Sequence, residues 1–219
     1  MLELEVQGAV HVLHMDEGEN RFNPSFLRAA HGALDVIDAH EGPCALVTTG
    51  AGKFFSNGLD LEWLESGDDT TGFLDSVHAL LGRILGLNAY TVAAVNGHAF
   101  AGGAMLASVH DCVIMRADRG YWCLPEVDLG LPLTKEMYAV LAAHLDPRTL
   151  ARAALTGHRF SAEEAVAAGI ASESVPEDEV LARAIHVASS LAEKNRSVIA
   201  AHKLLLYGDA IAVATARWP

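Results

Sequence analysis

The 219-residue chain is 51% hydrophobic and 20% charged with a mean hydropathy of +0.24, enough apolar material for one globular core and unlike a disordered tail. Its 15 Lys and Arg against 28 Asp and Glu leave a formal net charge of −13 and a pI near 5.2, which argues against a nucleic-acid partner, whose binding by counterion release needs clustered cations. Cys44, Cys112 and Cys123 are odd in number and lack C-x-x-C spacing, so they signal neither a disulfide framework nor a thiolate zinc site.

Leu2, Leu4 and Val6, then Val10, Val12 and His14 beyond Gly8, alternate with period two and predict an antiparallel strand pair. Asn23, before Pro24, or Ser25 can cap a helix whose apolar face is Phe26, Leu27, Ala30, Leu34 and Ile37. A β-prone run from Cys44 to Thr48 ends at Gly50. A glycine-bearing loop to Gly58 then leads to a helical turn at Asp60 to Leu64, and the polar Ser66 to Thr71 stretch is expected to be mobile. Helix returns from about Gly72 to Leu87. Thr91 to Val95 reads as a buried strand, Asn96-Gly97 as a turn, Ala101 to Ala104 as the opening of a helix, and Cys112 to Arg116 as a further strand.

Ile84 to His110 carries no Asp, Glu, Lys or Arg, but Asn88, Asn96, His98 and several glycines break it, so a buried core is expected rather than a membrane span. The last third is nearly all helix. Ser161-x-x-Glu164 is a capping box, Gly169 falls where a C-terminal cap belongs, and Glu177 to Glu193 is amphipathic with three acidic residues at its start. Alternating strands and helices with right-handed crossovers make the fold class α/β. The opening residues are unlike a signal peptide and the last three are no peroxisomal tripeptide, so the expected location is cytoplasmic.

Several motifs fail on inspection. Gly50-Ala51-Gly52 lacks the third glycine of a dinucleotide fingerprint, and Gly52-Lys53 is followed by Phe54 rather than Ser or Thr. The 11 histidines include no H-E-x-x-H, so no catalytic metal is expected. Ser108, His110 and Asp111 are too close in sequence for hydrolase geometry and are read as structural. His98 is read as a hydrogen-bonded core histidine.

Two segments carry more. Phe54-Phe55-Ser56-Asn57-Gly58-Leu59-Asp60 and Ala99-Phe100-Ala101-Gly102-Gly103-Ala104 each bring small residues to a helix start, where backbone N–H groups lack partners inside the helix. Two such amides on one oxygen would form an oxyanion hole. The alternative is that Gly102-Gly103 only allows close helix-to-strand packing.

These segments, extended to "FFSNGLDLEWL" and "VNGHAFAGGAM" and followed by "LPEVDLGL" at Leu124 to Leu131, resemble the three signature blocks of the crotonase, or enoyl-CoA hydratase/isomerase, superfamily. The resemblance reaches from the first strands to about Tyr207, with helices beyond it expected to be shorter than in most members. It implies a ββα spiral core at 1–195, a short C-terminal helical segment at 196–219, a homotrimer or dimer of trimers, and an acyl-CoA thioester substrate. It places the oxyanion amides on Leu59 and Gly102, and Ser56, Gly58, Leu59, Asp60, Gly102, Gly103 and Met105 along the substrate. Family hydratases use two glutamates. Here the first position is Met105 and the second is Glu126, after Pro125, a pattern similar to the enoyl-CoA delta-isomerase branch, in which one base moves a proton from C2 to C4.

Desolvation by Leu124, Val127, Leu129 and Met105 is expected to raise the Glu126 carboxyl above its reference of about 4.3. The implied activity is isomerisation of 3-enoyl-CoA to 2-enoyl-CoA without metal or redox cofactor, coenzyme A being part of the substrate. The alternatives are a hydratase or thioester hydrolase using another carboxylate such as Glu62, and a catalytically silent acyl-CoA-binding subunit. Glu62 stands where the family often has a CoA-binding lysine; Lys53, Arg21 and Lys203 are the candidate substitutes.

Overall fold

The computed structural model describes residues 2–66 and 69–218. Strands β1 (Leu2–Gln7) and β2 (Val10–Met15) form the expected antiparallel hairpin, followed by α1 (Pro24–Ala39), β3 (Ala45–Gly50), β4 (Phe54–Ser56), α2 (Leu61–Ser66) and α3 (Thr70–Leu85). Next come β5 (Tyr90–Val95), β6 (His98–Phe100), α4 (Gly102–Ser108), β7 (Cys112–Arg116), β8 (Trp122–Cys123) and α5 (Glu126–Leu129). The chain continues through α6 (Lys135–Ala142), α7 (Pro147–Thr156), α8 (Ala162–Ala167), β9 (Glu173–Val175), α9 (Val180–Leu191) and α10 (Arg196–Thr215).

A six-stranded sheet in the order β1-β2-β3-β5-β7-β9 is parallel except at its first pair, and a three-stranded parallel sheet runs β4-β6-β8. Both faces of the larger sheet's central strands β3, β5 and β7 are covered, which explains why these read as continuous apolar runs, whereas the edge strand β1 is largely exposed and alternates. Val10, Val12, Ala45, Val47, Val92 and Ile114 meet Val180, Ala184 and Ala188 of α9, while Leu13, Met15, Leu46, Ala93 and Val95 face the main core under α1 and α3.

Local signals hold where hydrogen bonds are local. Asn23, not Ser25, caps α1 by accepting from Phe26 N at 2.9 Å, and Ser161 and Glu164 form the reciprocal capping box of α8. The three acidic residues 177–179 form a separate 3₁₀ turn, and α9 starts at Val180. Of the stretch expected to be mobile, 67 and 68 lie outside the described residues; Ser66 closes α2, and Asp69 caps α3 by accepting from Gly72 N at 2.9 Å.

The segment Ile84 to His110 divides among α3, β5, β6 and α4 and is largely buried. Among the described residues α10 is the one helix long and apolar enough by length and composition to cross a membrane; it lies against α3 and α6 and leaves Leu204, Leu205 and Leu206 exposed. Its Lys203 is buried, donating to Ala89 O at 3.0 Å and Asp111 Oδ2 at 2.7 Å, so it is not available to a substrate phosphate.

Candidate active site

The site lies where β4 and β6 run out. Phe22 bridges to Leu59: Phe22 N donates to Gly58 O at 2.7 Å and its carbonyl accepts from Asp60 N at 2.9 Å. Because backbone polar groups alternate sides along an extended segment, the Leu59 N–H faces away from Phe22. Behind this turn, fully buried Ser56 donates to Asn20 O at 2.7 Å and accepts from Gly58 N at 3.2 Å.

The two signature segments touch through their glycines. Gly58 has φ +79°, and a Cβ there would sit 2.7 Å from Gly102 N; a Cβ at Gly103 would sit 2.2 Å from Ser56 O. Any side chain at either position would push the segments apart. Ala101, held by its N–H to Cys123 O at 3.0 Å, adopts φ +51°, a costly conformation for a residue with a Cβ, and turns β6 directly into α4. Among the described residues, neither Leu59 N–H nor Gly102 N–H has a hydrogen-bond acceptor.

Both residues border a cavity of about 350 Å³, whose wall is mostly apolar and includes Leu64, Leu74, Met105, Leu129, Leu131 and Met137. Glu126 enters it from the start of α5. Its Oε2 is buried without a partner among the described residues, and burial pushes the carboxyl up to about 7 against the downward pull of its own backbone N–H. Among the described lining residues it is the sole carboxylate, and Met105, 1% exposed, contributes no proton-transfer group.

Of the residues expected along the substrate, Leu59, Gly102 and Met105 line the cavity. Ser56, Gly58 and Gly103 instead build it from behind, since their atoms are consumed in holding the two segments together. Asp60 accepts from Trp63 N at 3.2 Å and, with Glu62, borders a separate acidic groove beside Glu17 and Glu19. Glu62 is therefore not the second carboxylate of the cavity. His98 is not the hydrogen-bonded core histidine expected: among the described residues its buried Nδ1 has no partner, and the ring packs among Phe54, Phe100 and Tyr121.

The sequence reading gave Asn57 and Thr134 no role, but both lie on the cavity wall, as does Arg21, which it named as a candidate for the CoA phosphates. Glu19 Oε2 accepts from Arg21 Nε at 2.8 Å and Asn57 Nδ2 at 2.9 Å, fixing the rim. Thr134 caps α6 and its hydroxyl lies 3.0 Å from His78 Nε2. Asn57 stands inside the first signature block; Thr134 is distant in sequence and carries no local signal.

The enoyl-CoA hydratase/isomerase family model matches residues 5–210. The chain is 35% identical to enoyl-CoA delta isomerase 3 of Arabidopsis thaliana over 95% of this chain and 93% of that protein. It is 34% identical to the peroxisomal enoyl-CoA delta isomerase 2 of the same plant, over 90% and 87%. A solved structure, a probable enoyl-CoA hydratase of Mycobacterium tuberculosis, superposes with a TM-score of 0.91 at 30% identity, covering 98% of this chain and 92% of that one. With its crotonase fold, its paired glycine segments and a family match along nearly its whole length, the chain belongs to the enoyl-CoA hydratase/isomerase family.

Proposed function

We propose that the protein isomerises 3-enoyl-CoA to 2-enoyl-CoA. The observation that carries this reading is one buried carboxylate, poised near neutrality, in a cavity that also presents two unpartnered backbone amides. Glu126 removes a proton from C2, and the electron pair moves into the thioester carbonyl. The oxygen gains negative charge where the Leu59 and Gly102 N–H groups receive it; a preorganised donor of this kind is worth about 2.7 to 4 kcal/mol. The same carboxyl then delivers its proton to C4, leaving the double bond between C2 and C3. No atom is gained or lost and no electron leaves the substrate, so the step calls for neither metal nor redox cofactor.

A carboxyl near 7 suits both halves of this cycle, since it accepts and returns the proton with little bias. Hydration requires a second group to hold and split water, and Met105 occupies the wall where that group would stand. The names of the plant relatives, enoyl-CoA delta isomerases, support the same direction. Exposed Leu204, Leu205 and Leu206 on α10 support burial against neighbours in a homotrimer or dimer of trimers, which sedimentation would test. The proposed location is the cytoplasm.

Incubation with paired 3-enoyl-CoA and 2-enoyl-CoA thioesters, followed by mass and NMR analysis, decides the activity. The expected product is 2-enoyl-CoA with no water added. Rapid hydration of 2-enoyl-CoA with 3-enoyl-CoA left untouched would overturn the reading, and binding without conversion of either would make the protein a silent acyl-CoA binder.

A further inference from the structure

Beyond Glu126 the catalytic cavity has a neighbour. A more open hollow of about 340 Å³ is lined by Val127, Gly130, Leu131, Pro132, Leu133 and Ala154, together with Glu126 itself. Glu126, Leu131 and Pro132 line both spaces, so the two lie back to back with these residues as the partition. Among the described residues lining the outer hollow, Glu126 has the sole polar side chain. Val127 is 49% and Leu131 45% exposed, so an apolar surface runs on from the place where the proton is moved.

The partition is firm at its backbone and free at one side chain. Gly130, at φ +70°, ends α5, and its N–H and that of Leu131 both donate to Glu126 O, the latter at 3.0 Å. Pro132 has its φ locked by the ring, and Leu133 packs against the main core. Leu131, with nearly half its surface in water, changes rotamer without disturbing that core or moving Glu126.

The chemistry aims the acyl chain at this partition. With the thioester oxygen on the Leu59 and Gly102 amides, C2 and C4 must each come within reach of the one Glu126 carboxyl. The carbons after C4 therefore begin beside the residue that borders both spaces. A hydrocarbon that continues past Leu131 stays among apolar side chains, whereas a hydroxyl or charged group on the chain meets no hydrogen-bonding side chain there beyond Glu126.

We propose that the acyl chain leaves the catalytic cavity past Leu131 and lies in the hollow lined by Val127 and Ala154, so that the substrates are long, unsubstituted enoyl thioesters and Leu131 is the residue that sets chain length. This rests on the reading of the substrate as an enoyl-CoA thioester. A cavity shut at Leu131 selects short chains by running out of room. An outlet there lets each further methylene bury apolar area until the hollow is filled.

The test measures kcat/KM for 3-hexenoyl-CoA and 3-dodecenoyl-CoA. The unaltered enzyme is expected to use the longer chain at least as well as the shorter. In Ala154→Trp, which fills the outer hollow from a position that does not line the catalytic cavity, the ratio of long to short falls about tenfold, the worth of roughly two methylenes of buried chain. Val127→Trp, at an exposed position of the same hollow, and Leu131→Trp, which blocks the partition, each lower the ratio as well. Val36→Gln, at an exposed apolar position on α1, leaves it unchanged. Rejection of the longer chain by the unaltered enzyme, or a ratio that the three tryptophan variants do not move, overturns the proposal. If neither thioester turns over, the isomerase reading falls, and calorimetric titration with hexanoyl-CoA and dodecanoyl-CoA decides this one: tighter binding of the longer chain that is lost in Ala154→Trp supports it, and a preference that is absent or survives the substitution overturns it.

Discussion

The short helix α4 has a buried polar cluster at each end, and the two differ in one respect. At its C-terminal end every group that resembles hydrolase chemistry is occupied. Ser108 Oγ donates to Ala104 O at 2.9 Å and accepts from Trp122 Nε1 at 3.2 Å. His110, whose pKa burial lowers to about 4, is neutral: Nδ1–H donates to Leu106 O at 2.8 Å, and Nε2 accepts from the Thr48 hydroxyl at 2.9 Å. Asp111 Oδ2 accepts from Thr91 N, Thr91 Oγ1 and Lys203 Nζ, at 2.8, 2.9 and 2.7 Å. At the N-terminal end, Gly102 N–H, Leu59 N–H and Glu126 Oε2 have no partner among the described residues.

Buried polar groups are normally satisfied, so an unsatisfied set facing a cavity marks where chemistry is done and a satisfied set marks where the fold is fastened. His144 Nε2, near the C-terminal cluster, is also unpartnered among the described residues, but burial keeps that ring neutral, which costs far less than stranding a charge.

The largest effect that would break this contrast is expected at Glu126. Glu126→Gln should lower kcat for 3-enoyl-CoA by about 10³-fold while keeping the fold. The same change should stabilise the protein above neutrality. The folded-state pKa of about 7 lies above the ordinary 4.5, so folding favours the protonated form; the penalty is absent below 4.5, grows as pH rises, and is complete above 7. Its ceiling is ~3 kcal/mol. Thermal melts at acid and alkaline pH read the difference, and unchanged turnover in the variant would remove Glu126 from the mechanism.

At the other end, Lys203→Met strands the Asp111 carboxylate in the core and should cost about 3 to 5 kcal/mol in urea unfolding, with kcat of the folded protein preserved. Lost turnover without lost stability would mean that the two clusters are not separate in role. The gentlest probe is the pH profile. With Glu126 as base, kcat/KM should fall about tenfold per pH unit below 7 and be flat above it, because only the ionised carboxylate accepts the C2 proton. A profile that breaks near 4.5 would mean the carboxyl is solvated in the working enzyme.

Much of this architecture was legible from local chemistry. The β1–β2 alternation, the Asn23 cap, the Ser161/Glu164 box and the three glycine-bearing blocks all depend on residues within a few positions of one another. The strands β4, β6 and β8 escaped notice because two or three residues carry no measurable period. The fate of Lys203, read as a candidate for substrate phosphates, turned on Asp111 and Ala89, which nothing near it in sequence announces.

The amino-acid order by itself determined the layered α/β class, the identity of the lone acid after Pro125 and the glycines that let two turns meet. Tertiary structure decided which of those residues face the cavity and which stand behind it, and how far burial lifts the Glu126 carboxyl. The reason is that helix and strand signals arise from neighbouring residues, whereas desolvation and field are sums over whatever the fold packs nearby.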